Sequence, residues 1–180
     1  MCTEGKEILV EELKIPEKVT VELKGNSILV KGPNGTLTKN LKIHKLKLEK
    51  AAQSLVLSCE KCRKKERALL YTILAHLKNM LHGVTKGWQY ELKIVYSHFP
   101  IKATVKGDKF VIENFLGEHS PRVAAIIEGT KVEIKGDKVI LTGIDLEKVS
   151  QTAANIELAT KIKDRDPRVF QDGIYIVKKG

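Results

Sequence analysis

A chain of 180 residues that is 42% apolar and 30% charged has the makeup of a soluble protein with one large or two small domains, which sets aside disordered, fibrous and membrane-embedded classes. Its formal charge of +10 and pI near 9.4 favour a polyanionic partner, because net basicity attracts phosphate over long range. The opening residues lack an apolar signal core and no stretch approaches the roughly 20 apolar residues that span a bilayer, so a cytoplasmic protein without a membrane partner is expected.

The first half opens with a strand around residues 8–10. Residues 19–32, V-T-V-E-L-K-G-N-S-I-L-V-K-G, then spell a β-hairpin, with alternation up to Lys24, a Gly25-Asn26 turn and alternation again from Ser27. The unit recurs around Gly107-Asp108 and Gly136-Asp137. A two-residue loop fixes register, so Leu23 should face Ile28, Val105 should face Phe110 and Ile134 should face Val139 on a core face. Leu29, Val111 and Ile140 fall on the opposite face, where a partly covered outer surface or a protein or RNA contact would account for them.

Gly32-Pro33-Asn34-Gly35 has the G-x-x-G spelling of a nucleic-acid clamp, but strands flank it, so it reads as a turn. A run at 36–41 and a looser hairpin, 46–49 to 54–58, follow. Lys39, Lys42, His44, Lys45 and Lys47 make one strand face cationic, as Arg63-Lys64-Lys65-Glu66-Arg67 makes the next helix start; a solvated face is the default for both.

Cys59 and Cys62 have the spacing of half a zinc site or of a redox motif. A structural zinc takes four ligands, and no second C-x-x-C or H-x-x-x-H exists, although His44, His76 or His82 could complete a site by folding. With Cys2 they make three cysteines, too few for a disulfide framework, so an inert junction without metal or cofactor, in a reducing compartment, is expected. A helix is predicted over 63–82, with Leu70, Ile73, Leu77 and Leu81 inward and Gly83 as its stop.

The second half opens with a strand at 88–94, whose Trp88, Tyr90, Leu92 and Ile94 share a face. The Gly107 hairpin, a loop at 114–121, a strand at 122–127 and the Gly136 hairpin come next. Asp145 should cap a helix reaching about residue 163, with Leu146, Val149, Ala153 and Ile156 inward and Gln151, Asn155 and Thr160 on a polar outer face. Asp166 before Pro167 cannot continue it. From Lys161 onward six cations interleave with Phe170 and Tyr175, the mixture of charge and stacking rings that RNA contacts use.

Two offsets superpose the hairpins. One of 111 gives the better identity but sets the second helix against the Gly32-Pro33 turn; one of 82 keeps every element in order. The expected architecture is therefore α+β and duplicated, each repeat an antiparallel sheet with one main helix, over 1–83 and 84–166, with a C-terminal extension at 167–180. No nucleotide-binding, hydrolase or metalloprotease motif is present, so no enzyme is expected.

The segments R-A-L-L-Y-T-I-L-A-H-L-K-N-M-L-H-G-V-T-K-G-W at 67–88, N-F-L-G-E-H-S-P-R at 114–122 and Q-T-A-A-N-I-E-L-A-T-K-I-K-D-R-D-P-R-V-F-Q-D-G-I-Y at 151–175 resemble the large-ribosomal-subunit protein six family. The likeness covers nearly the whole chain and is strongest to the archaeal branch, with the eukaryotic protein called L nine as a cousin. The resemblance implies two similar α+β domains, a structural role in the large subunit without catalysis, neighbouring ribosomal proteins as partners, no homo-oligomer, and contact with ribosomal RNA near the sarcin-ricin loop and stalk base. It also implies that the second domain and C-terminal extension lead RNA binding. Charge by halves points the other way, since 1–83 carry 16 Lys/Arg against 9 Asp/Glu and 84–180 carry 16 against 13. The tail from Lys161, six cations against three acids, decides the assignment. The expected RNA-binding residues are Arg122, Gln151, Asn155, Lys161, Lys163, Arg165, Arg168, Phe170, Tyr175, Lys178 and Lys179. A free-standing RNA-binding module or RNA chaperone is the alternative.

Overall fold

The computed structural model describes residues 9–25, 27–41, 46–51, 54–59, 62–163, 165–166 and 168–180. In chain order the strands β1 (Leu9–Lys14), β2 (Thr20–Lys24), β3 (Ser27–Gly32), β4 (Gly35–Asn40), β5 (Leu46–Lys50) and β6 (Ser54–Cys59) lead into helix α1 (Lys64–Thr85). Then come β7 (Trp88–Val95), β8 (Lys102–Lys106), β9 (Lys109–Glu113), β10 (Arg122–Ala125), β11 (Thr130–Lys135), β12 (Lys138–Gly143), α2 (Leu146–Ala159) and β13 (Gly173–Lys178). The chain divides into Met1–Lys86 and Gly87–Gly180.

Each unit repeats one topology. The first holds antiparallel sheets ordered β2-β3-β4 and β1-β6-β5; the second holds β10-β9-β8 and β11-β12-β7-β13. Adding 82 carries β2 onto β8 and the start of α1 onto the start of α2, and brings the other strands to within about five residues of their counterparts, in the same order. The Gly25 hairpin thus corresponds to the Gly107 hairpin, and the Gly136 hairpin lies in the other sheet of its unit. Local identity misleads here because a two-residue turn constrains its own residues strongly, wherever its hairpin sits. Gly25, Gly107 and Gly136 each have φ of +59°, the left-handed value such loops require in their first position.

The predicted facing pairs are all present: Leu23 with Ile28, Val105 with Phe110, Ile134 with Val139. Ile28, Phe110 and Val139 are fully buried and Leu23 and Ile134 half-buried, but Val105 is exposed, so the core-face expectation fails there. On the opposite face Val111 is buried and Leu29 and Ile140 are half-buried. That is the partly covered outer face the sequence suggested.

Helix α1 packs its stripe of Leu70, Ile73, Leu74, Leu77, Met80, Leu81 and Val84 on strands of both sheets of its unit. It runs past Gly83, the expected stop, because Val84 continues the stripe and is fully buried; the left-handed glycine is Gly87, φ +79°. A Cβ on Gly32 would lie 2.8 Å from Val84, so this glycine lets β3 meet the helix end. Asn34 then caps it, its backbone N–H donating to Val84 O at 3.1 Å and its side-chain amide to Thr85 O at 3.2 Å. The G-x-x-G turn is thus a helix cap.

Cys59 and Cys62 form a disulfide that joins the end of β6 to the residue before the Arg63 N-cap. This corrects the expectation of two inert thiols: the strand-to-helix corner holds their Cα atoms 5.8 Å apart, the usual disulfide separation. Bonded to each other, neither sulfur is a thiolate that can ligate zinc. Alkylation before reduction should label one thiol per chain and after reduction three, with no zinc found by elemental analysis. Replacing both by Ser should cost about 2 kcal/mol, since only a short loop is closed, read by denaturant unfolding.

In the second unit, Tyr90, Leu92, Ile94, Phe110, Ile112, Val139, Leu141, Val149, Ala153, Ile156 and Ile174 form one core. Asp145 caps α2 as predicted, accepting from the Glu147 N–H at 3.0 Å. The helix ends at Ala159, four residues before the expected 163. Thr160, assigned to the polar face, is buried: its hydroxyl donates to Glu157 O at 3.1 Å and accepts the Ile174 N–H at 3.0 Å. Part of the expected C-terminal extension is therefore a strand of the second sheet, with β13 pairing antiparallel to β7 and Ile174 opposite Ile94.

Candidate nucleic-acid interface

The segment between α2 and β13 is fixed at both ends. Thr160 grips Ile174 from the helix end, the Glu157 carboxylate accepts the Ile176 N–H at 3.2 Å, and buried Asp172 accepts the Ser97 N–H at 2.8 Å. A buried carboxylate that accepts a backbone N–H recovers part of its lost solvation, so these contacts set the path of the chain.

Between the anchors, Asp166 organises a tight turn. Its carbonyl accepts the Val169 and Phe170 N–H groups at 3.1 and 3.0 Å, and its carboxylate accepts the Arg168 N–H at 2.9 Å. Arg165 lies over the Phe170 ring at 4.9 Å, and the Tyr175 hydroxyl donates to Gln171 O at 3.2 Å. Lys161, Lys163, Arg165 and Arg168 are all exposed, Arg168 with 89% of its side chain accessible. Phe170 and Tyr175 are 37% and 42% exposed, enough ring face to stack on. Lys178 at the end of β13 and Lys179 just beyond it extend the cations, Lys178 standing 3.9 Å from Glu91. Eight of the eleven predicted residues thus share one continuous segment and its strand.

The other three differ. The Arg122 guanidinium donates twice to Glu118, at 2.8 and 2.6 Å, and to the helix-end carbonyl of Ala159 at 3.0 Å, and covers the Phe115 ring at 4.2 Å. Its fork is bonded within the protein while the side chain stays 27% exposed, so it holds the loop 114–122 against the end of α2. Asn155 donates to Ala125 O at 3.1 Å and accepts from Gln151 at 3.0 Å, so it ties α2 to β10 and leaves Gln151 as the exposed amide of the pair. A single Arg in a loop gives no sign in sequence of whether its fork is spent locally. Glu118, which sequence reasoning missed, lies four residues before Arg122, a spacing with no meaning outside a helix.

The Arg122 hydrogen bonds hold the Glu118 carboxyl below the ordinary carboxylate range, with its charge and that of Arg165 adding to the shift. Because the folded value is depressed, the clamp's stabilisation is present above the ordinary carboxylate pKa and is lost as pH falls through the lowered one. Glu118 is partly exposed, so the effect is modest. Acid unfolding of the wild type should show a stability loss below pH ~4.5 that Glu118→Gln lacks.

In the first unit, Lys39 Nζ lies 3.1 Å from His76 Nδ1 and Lys47 is exposed; Lys42, His44 and Lys45 lie outside the described residues. Among the described residues no group of three His, Cys, Asp or Glu could hold a metal, and no helix is long and apolar enough to cross a membrane.

The family described as "Ribosomal protein L6" matches twice, over residues 15–87 and 99–173. The protein named "Large ribosomal subunit protein uL6" of Methanobrevibacter smithii is 48% identical over 169 residues, 94% of this chain and 95% of its own length. That of Aeropyrum pernix is 48% identical over 174 residues, covering 95% and 94%, and that of Ignicoccus hospitalis 50% identical over 168, covering 90% of each.

Proposed function

The chain belongs to the ribosomal protein L6 family, whose members are structural constituents of the large ribosomal subunit rather than enzymes, and from that premise we propose that it binds large-subunit ribosomal RNA through its second unit, near the sarcin-ricin loop and the stalk base. The observation that carries this reading is the set of contacts in which Asp166 accepts from residues 168, 169 and 170 and Arg165 lies over Phe170, between anchors at Thr160 and Asp172. Exposed cations on a fixed backbone neutralise phosphates without the entropic cost of ordering a tail, and an exposed ring beside them can stack on an unpaired base.

In this reading Lys161, Lys163, Arg165, Arg168, Lys178 and Lys179 contact phosphates, Phe170 and Tyr175 stack, and Gln151 offers a hydrogen bond to sugar or phosphate. Arg122 and Asn155 position the others. Contacts of this kind recognise shape and backbone, not base sequence. Neighbouring proteins of the subunit, and the cytoplasm as its location, follow from the same assignment.

Tagged protein expressed in an archaeal host should be recovered stoichiometrically with large-subunit particles through a high-salt gradient. Chemical footprinting of those particles should show protection at the sarcin-ricin loop and stalk base. Recovery with heterogeneous RNA outside particles would instead support a free-standing RNA-binding module or chaperone, and protection elsewhere in the subunit would overturn the location.

A further inference from the structure

Sheet register brings together three lysines that are far apart in sequence. Lys135 on β11 is opposite Lys138 on β12, Lys138 is opposite Lys93 on β7, and Lys93 is opposite Tyr175 on β13. Directly opposed residues share a face, so this is one rung across all four strands. All four side chains are exposed, on the face away from Leu92, Val139 and Ile174, which are buried. At about 4.8 Å per strand the three ammonium stems span about 10 Å.

Like charges directly opposite one another destabilise a sheet, so the rung works against the fold that carries it. The nearest compensation is weak: Lys135 lies 3.4 Å from Glu133, both well exposed, and among the described residues no carboxylate is within ion-pair distance of Lys93 or Lys138. The neighbouring rung, Glu133 to Ile140 to Glu91, keeps its acids apart with an apolar residue, and Glu91 is already near Lys178. Three aligned ammonium groups ending at an exposed tyrosine match a run of phosphates followed by a base or sugar.

We propose that the outer face of the β11-β12-β7-β13 sheet is a second RNA-backbone contact, in which Lys135, Lys138 and Lys93 each neutralise a phosphate and Tyr175 joins this rung to the contact made by the 161–170 segment. The inference rests on the ribosomal-RNA reading above and extends it to residues that neither the tail nor the sequence pattern marks. The lysines come from a hairpin turn and a strand about forty residues away, and only the register aligns them.

The test compares three full-length proteins on purified large-subunit ribosomal RNA, with affinity measured from 50 to 300 mM salt. The rung variant is Lys93→Gln/Lys135→Gln/Lys138→Gln. A charge-matched control is Lys64→Gln/Lys65→Gln/Lys78→Gln on exposed positions of α1. The rung variant should bind about ten- to a hundredfold more weakly at 0.15 M salt, with the log-log salt slope shallower by about 2 to 3, while the control loses only a few-fold. Free of RNA, the rung variant should melt at the same temperature as the wild type or higher, because a repulsion has been removed.

Equal losses in the rung and control variants would mean that only net charge matters and would overturn the proposal. So would an unchanged affinity and slope in the rung variant while the wild type binds. If the rung variant bound RNA normally but failed to enter particles, the face would belong to an acidic protein neighbour, which also overturns it. Failure of the wild type to bind this RNA would sink the ribosomal reading itself, a separate result.

Discussion

Truncating the chain before Asp166 should unfold the second unit. The cut removes β13, with it the fully buried Ile174 and the half-buried Ile176, and uncovers the β7 edge at Leu92 and Ile94. Losing the Ile174 side chain alone costs about 2–5 kcal/mol when the cavity cannot collapse. The lost strand adds unpaired β7 backbone groups and leaves the Thr160 hydroxyl and the Asp172 partner Ser97 without their contacts. Together these approach the roughly 5–15 kcal/mol that holds a domain folded. Far-UV circular dichroism and hydrogen exchange of the full chain cut at 165 should show the second unit unfolded and the first retained. Ile174→Ala should be intermediate, destabilised by about 2–5 kcal/mol but folded. A truncated protein with native exchange protection at β7 would show that β13 is dispensable. Sequence alone suggests the opposite outcome, because the repeat unit is complete by about residue 166. A deletion therefore cannot separate RNA binding from folding here.

The substitution that does separate them is Lys161→Ala/Lys163→Ala/Arg165→Ala/Arg168→Ala. All four side chains are exposed; Arg168 Nε also reaches the Asp166 carboxylate at 3.3 Å and Arg165 lies over Phe170, but the backbone hydrogen bonds to Asp166 remain available without them. Each phosphate contact releases roughly 0.7 to 0.9 counterion, so removing four should make the log-log salt slope shallower by about 3 and lower affinity roughly a hundred- to a thousandfold at 0.15 M salt. Phe170→Ala should cost about 1–3 kcal/mol with no change in slope, because stacking releases no counterions. The comparison that decides the site is a first-unit variant lacking Lys39, Lys42, Lys45 and Lys47. If that variant loses binding and the tail variant keeps it, the excess charge of the first half governs RNA binding and the interface assigned to the second unit is wrong.

Both predictions depend on how a repeat was adapted. The first unit has a three-stranded β1-β6-β5 sheet, and its counterpart in the second unit gains β13 on the β7 edge. The added strand anchors the cationic segment, supplies Tyr175 and Lys178, and completes the rung that begins at Lys135. A tail free at one end would lose more freedom on binding RNA, whereas contacts at Thr160, Glu157 and Asp172 tie both ends of this segment to its unit.

The sequence by itself determined the α+β class, the duplication at an offset of 82, the hairpin registers and the apolar stripes of both helices. It also marked the cationic stretch from Lys161. Each of these is local: a two-residue turn sets register, and a period of two or 3.6 sets which side chains face the core. Tertiary structure alone decided the rest. Gly83 stays within α1 because the strand at Gly32 offers Val84 a place to be buried; Cys59 and Cys62 bond because a strand-to-helix corner brings them together. Arg122 is drawn to the end of α2 because Glu118, Phe115 and the carbonyl of Ala159 converge on it, and Thr160 is buried because Ile174 returns to pair with β7. In each case the deciding partner lies across a turn or in another element, so periodicity and composition carry no trace of it. A side chain's function depends on whether its hydrogen bonds and charge are satisfied within the protein, and that is settled only when distant segments meet.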